Sequence, residues 1–142
     1  HMKDTVSDDY WNVRNEALGL LQEESKLEEI VRLVGPDALS IREKLVLLVA
    51  KSIREDYLYQ DSFSPEDAYT SSQKQYQMLK TILMVYHEGQ RLVEREDFDF
   101  SRVEDLPCIQ KVAKIKELKI EGDDTSGFED VRKDIVKEVS AL

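Results

Sequence analysis

The sequence predicts an all-α fold, an antiparallel bundle of about five helices, and three observations carry that reading. Apolar residues recur at helical spacing through most of the chain, and the breaks between helical runs carry capping and turn chemistry. Five Gly and three Pro among 142 residues are too few for a loop-rich or disordered chain. That length encloses one core without disulfide or metal staples.

The first helix is expected to start at Ser7 or Asp8, whose side chains suit an N-cap, and to bury Val13, Ala17, Leu20, Leu27, Val31 and Val34 on one face. Gly35 fits the position after the helix, where a residue without Cβ takes a positive φ at little cost, and Pro36 prevents continuation. Ser40-Ile-Arg-Glu43 is a capping-box pattern that opens a second helix. Its run Leu45-Val-Leu-Leu-Val-Ala50 is apolar all round and suits a helix surrounded by others.

Residues 61–72 break into Ser, Pro, Asp and Thr, a connection longer than the usual bundle turn. A third helix is expected from about Ser72 to Arg95, with Tyr76, Leu79, Leu83 and Tyr86 at helical spacing. Phe98 to Asp105 reads as a second break. Pro107 suits the first turn of a fourth helix reaching about Lys119, with Ile109, Val112, Ala113 and Ile115 buried. Ser126-Gly-Phe-Glu129 is a second capping-box pattern, opening a last helix to Leu142. His1-Met2 reads as a cloning remnant, so residues 1–7 are expected to be a flexible N-terminus and 8–142 the bundle domain.

A formal charge of −10 and the lack of a basic stripe argue against a general nucleic-acid binder, which needs clustered Lys and Arg to displace counterions. Cys108 is the lone cysteine, and neither a secretory h-region nor an apolar run of membrane-spanning length occurs. A cytoplasmic chain without direct membrane insertion is the simplest expectation.

Chemistry is sparse. A P-loop requires G-x-x-x-x-G-K-[ST], and Gly122-Asp-Asp-Thr-Ser-Gly127 lacks the lysine and adds two carboxylates, so it reads as a loop leading into a helix. His87 has no partner at metal-ligand spacing and no metal site is expected. Cys108 reads as structural, and Glu23, Glu24, Glu28 and Glu29, interspersed with Lys26 and Arg32, read as a solvated helix face. No catalytic residue can be named, because nothing assembles a nucleophile, a base and an oxyanion site.

Leu20-Leu-Gln-Glu-Glu-Ser-Lys-Leu-Glu-Glu-Ile-Val-Arg-Leu-Val-Gly-Pro-Asp-Ala-Leu-Ser40 resembles the pattern of the C-terminal helical domain of the catalytic A subunit of V-type and archaeal A-type rotary ATPases. In that family a long helix ends at Val-Gly-Pro-Asp-Ala-Leu. The similarity continues through Val49-Ala50, Ile53-Arg-Glu-Asp56, Phe63 and Lys74-Gln-Tyr-Gln-Met-Leu-Lys80, spans most of residues 10–90, and weakens after that.

The resemblance implies a domain that follows a nucleotide-binding α/β domain carrying the P-loop and catalytic carboxylate, with ATP and magnesium as ligands of the full subunit. It implies partners in that nucleotide-binding domain, in B subunits and in a central shaft, with ATP synthesis or hydrolysis coupled to proton or sodium-ion transport. The parent subunit would be an enzyme, while this chain by itself would be inactive, cofactor-free and monomeric. The turn from Gly35 to Glu43 would press on the shaft, through Pro36, Asp37, Ala38, Leu39, Ser40 and Ile41. It resembles the acidic loop at the same place in the F-type catalytic beta subunit but is far less acidic, since Arg42 and Lys44 offset Asp37 and Glu43. Shape contact through Pro36, Ala38, Leu39 and Ile41 is therefore favoured over charge repulsion.

The family segment Leu-Gln-Gln-Asn-Ala-Phe borders the adenine of a bound nucleotide, and here it reads Leu58-Tyr-Gln-Asp-Ser-Phe63. Gln60 and Phe63 match and are the adenine-pocket candidates, with closure of the bundle end as the structural role open to Phe63. Tyr59, Asp61 and Ser62 depart from the pattern, so no contacts carry over to them. Adenine contact alone is expected to leave the isolated chain without micromolar ATP affinity. Two other readings stay open on the residues alone: an autonomous acidic helical adaptor that docks a partner helix, and, with least support, a small helical enzyme.

Overall fold

A computed structural model of the protein describes the backbone of residues 2–58 and 68–142 and the side chains of 8–57 and 72–142. Six α-helices account for most of it: α1 Met2–Val34, α2 Ile41–Ser52, α3 Ala68–Gly89, α4 Ser101–Glu104, α5 Pro107–Ala113 and α6 Ser126–Ser140. Single 3-10 turns lie at Pro36–Ala38, Gln90–Leu92 and Ile115–Glu117, and a π turn at Ile53–Leu58 extends α2. Among the described residues there is no strand, only an isolated bridge between Glu121 and Asp124.

Side-chain pairs fix the helix directions. Tyr10 meets Gln75 and Glu16 meets His87, so α1 and α3 run parallel. Arg132 meets Gln77 and Ser140 meets Arg91, so α6 is parallel to α3. Cys108 meets Glu138 and Lys111 meets Asp134, so α5 is antiparallel to α6. The start of α2 lies at the end of α3: Arg42 reaches Tyr86, and a Cβ placed on Gly89 would come within 2.6 Å of Leu45 Cδ2. Gly89 thus marks the close crossing of α2 over α3, where an added side chain would have to push the Leu45 methyls aside. α1, α2 and α3 alternate in direction, as antiparallel packing of successive helices requires, and the short α5 reverses the chain so that α6 returns parallel to α3.

One contiguous core includes Leu27 of α1, Leu45, Val46 and Val49 of α2, Leu79, Ile82 and Leu83 of α3, Val112 of α5, and Phe128 and Ile135 of α6. Fully buried Thr81 returns its hydroxyl to Gln77 O, and buried Cys108, its thiol pKa pushed up to about 12 by burial and nearby Glu138, is a structural cysteine.

Several boundaries differ from the sequence reading, each for a local reason. α1 begins at Met2 rather than at a Ser7 or Asp8 cap, as residues 2–18 contain no Gly or Pro to stop it. Val34 is 68% exposed, because it lies at the helix end beyond the reach of α2. α3 runs from Ala68 to Gly89 instead of Ser72 to Arg95, its end tightening into a 3-10 turn. The break at 98–105 contains α4, started by Asp99, whose Oδ1 accepts from Ser101 N and Oγ at 3.0 and 2.8 Å. α5 stops at Ala113, which is exposed. The second capping box does not form. Asp124 Oδ1 takes the Ser126 amide at 3.0 Å, and Glu129 accepts from Thr125 Oγ1 at 2.9 Å.

Candidate functional site

The α1–α2 connection is built by two consecutive residues with distinct jobs. Gly35 holds φ +92°, and its N–H donates to Val31 O at 2.8 Å, closing α1. That φ is the left-handed region where only a residue without Cβ is unstrained. Pro36 then fixes the first position of the 3-10 turn, in which Leu39 N donates to Pro36 O at 3.2 Å.

α2 starts on the capping box read from the sequence. Glu43 N donates to Ser40 Oγ at 3.2 Å and Ser40 N to Glu43 Oε1 at 2.9 Å. Arg42 braces the neck of the hairpin, donating to Glu23 at 2.8 and 3.0 Å and to the Tyr86 hydroxyl at 3.4 Å. Ser40→Ala is expected to lower stability by about 1 kcal/mol, seen as a lower urea midpoint at unchanged slope. An unmoved midpoint would mean that the turn holds without its cap.

The tip projects into solvent. Pro36, Asp37, Ala38 and Ser40 are exposed and Ile41 is half-buried. Leu39, at 7% exposure, points into the core, so it anchors the turn rather than lining its outer surface. Leu33 and Val34, at 72% and 68% exposure, take up the apolar outer surface that the sequence reading gave to Leu39. Their signal was available in the sequence as two apolar residues in the last turn before Gly35. Beside the tip an open groove of about 420 Å³ runs between Asp37, Leu47 and Lys51 on one side and Phe100 and Glu104 on the other.

The adenine-pocket candidates Gln60 and Phe63, with Tyr59, Asp61 and Ser62, lie outside the described residues. The π turn that leads to them holds a polar cluster. Asp56 is 3% exposed, and burial, reinforced by Glu55 and opposed by Lys116, raises its pKa to about 6. Tyr10 donates its hydroxyl to Gln75 Oε1 at 2.8 Å and accepts from Tyr57 at 2.9 Å. Asp56 had no role in the sequence reading, although helical spacing from Val49 and Ile53 puts it on their buried face. Glu24 also departs from the solvated face expected of its neighbours: it is buried and accepts from Arg54 Nη2 at 3.0 Å.

No group of three or more potential metal ligands occurs among the described residues, and no described helix is long and apolar enough to cross a membrane. His87 contacts Glu16 of α1 at 2.8 Å. The loop Gly122–Gly127 leads into α6, with Gly122 at φ +62°.

The fold is an all-α bundle that presents a capped and partly apolar hairpin. Residues 1–101 match the family model for the C-terminal domain of V and A type ATP synthase. The chain is 46% identical over 142 residues to the V-type ATP synthase alpha chain of Thermoanaerobacter pseudethanolicus, covering 100% of this chain and 24% of that protein. It is 41% identical over 141 residues to the alpha chain of Acetivibrio thermocellus, covering 99% and 24%, and 45% identical over 137 residues to that of Clostridium perfringens, covering 96% and 23%. The chain belongs to the family of V- and A-type ATP synthase C-terminal domains, as part of the alpha, or catalytic A, subunit. It spans about a quarter of the length of the curated relatives that it matches, 24% for the first of them.

Proposed function

We propose that this bundle transmits the ATP-driven closure of its subunit to the central shaft of the rotary complex through the α1–α2 hairpin. The observation that carries the proposal is the tip itself: a turn stiffened by Gly35, Pro36 and the Ser40–Glu43 box, anchored inward by Leu39, and offering exposed Leu33, Val34, Pro36 and Ala38. Asp37 is the sole carboxylate of the outer turn, so apolar shape contact, and not repulsion between like charges, is the mode of push.

On this reading the parent subunit binds ATP and magnesium in the domain that precedes the bundle, next to B subunits, in the soluble sector of a membrane-associated complex in the cytoplasm. Gln60 and Phe63 border the adenine, and the cycle couples ATP synthesis or hydrolysis to proton or sodium-ion movement. The bundle itself supplies no catalytic group.

Cysteine crosslinking in the assembled complex tests the proposal. Ala38→Cys is expected to form a disulfide with single cysteines placed along the shaft, and the trapped complex is expected to lose most of its ATP turnover until reductant is added. Asp130→Cys on exposed α6 serves as the control and is expected to give no shaft adduct. Equal crosslinking at both positions, or full turnover of the Ala38 adduct, would defeat the shaft-contact reading.

A further inference from the structure

A second surface, formed by α3 and α6, shares no residue with the hairpin. α6 sorts its side chains into three arcs. Phe128, Val131, Ile135 and Val139 are buried. Asp134 and Glu138 turn toward α5, where Asp134 accepts from Lys111 Nζ at 2.6 Å and Glu138 from Cys108 N at 2.8 Å. Arg132, Lys133 and Lys137 occupy the remaining arc, and with Met84, Val136 and Glu129 they line an open groove of about 510 Å³.

The groove combines an apolar floor with a net positive lining, three cations to one carboxylate. Val136 is 41% exposed and Met84 half-buried. Arg132 Nη1 donates to Gln77 Oε1 at 2.8 Å and to Thr81 Oγ1 at 3.0 Å, neutral partners that position the guanidinium without cancelling its charge. None of the three cations forms an ion pair with a described carboxylate. Glu129, the one carboxylate of the lining, accepts from Thr125 Oγ1 and offsets part of the Arg132 charge, which leaves the lining net positive.

We propose that this groove docks an acidic amphipathic helix of a partner protein, its apolar face on Met84 and Val136 and its carboxylates against Arg132, Lys133 and Lys137. Charge complementarity selects the occupant. The chain's net charge of −10 opposes nucleic acid and anionic bilayers, which present extended negative charge, and disfavours a second copy of itself. The three cations act within a Debye length of about 8 Å, a range that favours a compact segment already seated by its own apolar side chains. A helix laid in a groove with anchors at i, i+3 and i+4 meets both demands. The inference does not depend on the hairpin's role.

Calorimetry and ¹⁵N NMR on the 142-residue chain test it with two designed helical peptides, both with Leu along one face, one flanked by Glu and the other by Lys. The Glu peptide is expected to shift the amides of Met84, Val136 and Lys137 and to bind at least about tenfold tighter than the Lys peptide. The K133E/K137E variant, altered only at exposed positions, is expected to weaken the Glu peptide at least about tenfold with unchanged Tm. If that variant fails to fold, K133Q/K137Q is expected to weaken it about threefold. Equal affinity for the two peptides, shifts confined elsewhere, or indifference to these substitutions would overturn the proposal. So would groove shifts produced by raising protein concentration alone, or by phosphatidylglycerol vesicles, since each names a different occupant.

Discussion

Phe128→Ala is expected to lower the unfolding free energy by about 3 to 5 kcal/mol, the range for truncating a buried aromatic side chain in a core that relaxes only in part. Phe128 is among the largest fully buried side chains, and it lies past residue 101, where the family match ends. Yet it belongs to the same core cluster as Leu79, Ile82 and Leu83 of α3, and Val131, Ile135 and Val139 follow it down the buried face of α6. The loss should therefore be felt by the whole bundle. Against a domain stability of about 5 to 15 kcal/mol, it removes a large share. Urea unfolding followed by circular dichroism should show a single transition at a much lower midpoint. A biphasic curve, with an early step of reduced size and an unmoved main step, would show instead that α6 unfolds as a separate unit.

Asp56→Asn is expected to act in the opposite direction and only in one pH range. The folded-state pKa of Asp56, raised to about 6 from 3.8 chiefly by burial, means that the folded protein holds this proton more tightly than the unfolded chain. Between those two values the folded state carries more bound protons, so this group's contribution to stability is greatest below 3.8 and declines as pH rises through about 6. Above that, the buried carboxylate is a constant penalty of about 1 to 3 kcal/mol, which the neutral amide avoids. The variant should thus be more stable than the parent at pH 7 by that amount, with the difference closing toward pH 4. Paired denaturant titrations from pH 4 to 8 check it. A stability difference independent of pH would mean that the carboxylate titrates in the folded protein as it does in the unfolded chain.

The features that were legible in the sequence are those set by neighbours along the chain. Gly35, Pro36 and the Ser40–Glu43 box fall within nine residues, and each acts on backbone a few bonds away, so spacing alone defines the turn. The second box shows the limit of that logic. Ser126 and Glu129 have the required spacing, but Asp124 stands two residues upstream and captures the Ser126 amide first, a local competition typical of Asp before a helix.

Burial at helix ends was less legible, because periodicity tells which face is apolar but not how far the neighbouring helix extends. Val34 continues the spacing of Leu27 and Val31 and still emerges into solvent, and Ala113 is too small to mark a face at all. Asp56 was obscured by its type. A carboxylate on a buried face contradicts the usual partition, and only the surrounding packing shows that it is enclosed.

The parallel seam between α1 and α3 bears on the order of assembly. Bringing Tyr10 to Gln75 closes 65 residues of chain, whereas bringing Glu23 to Arg42 closes 19. With about 0.6 kcal/mol of added entropy loss for each doubling of loop length, the seam costs about 1 kcal/mol more to nucleate than the hairpin. Early association thus favours the helix pair around Gly35, and α3 docks onto a ledge that this pair has already made. The turn that reaches outward in the finished bundle is, by the same geometry, the hinge about which the polypeptide first doubles back.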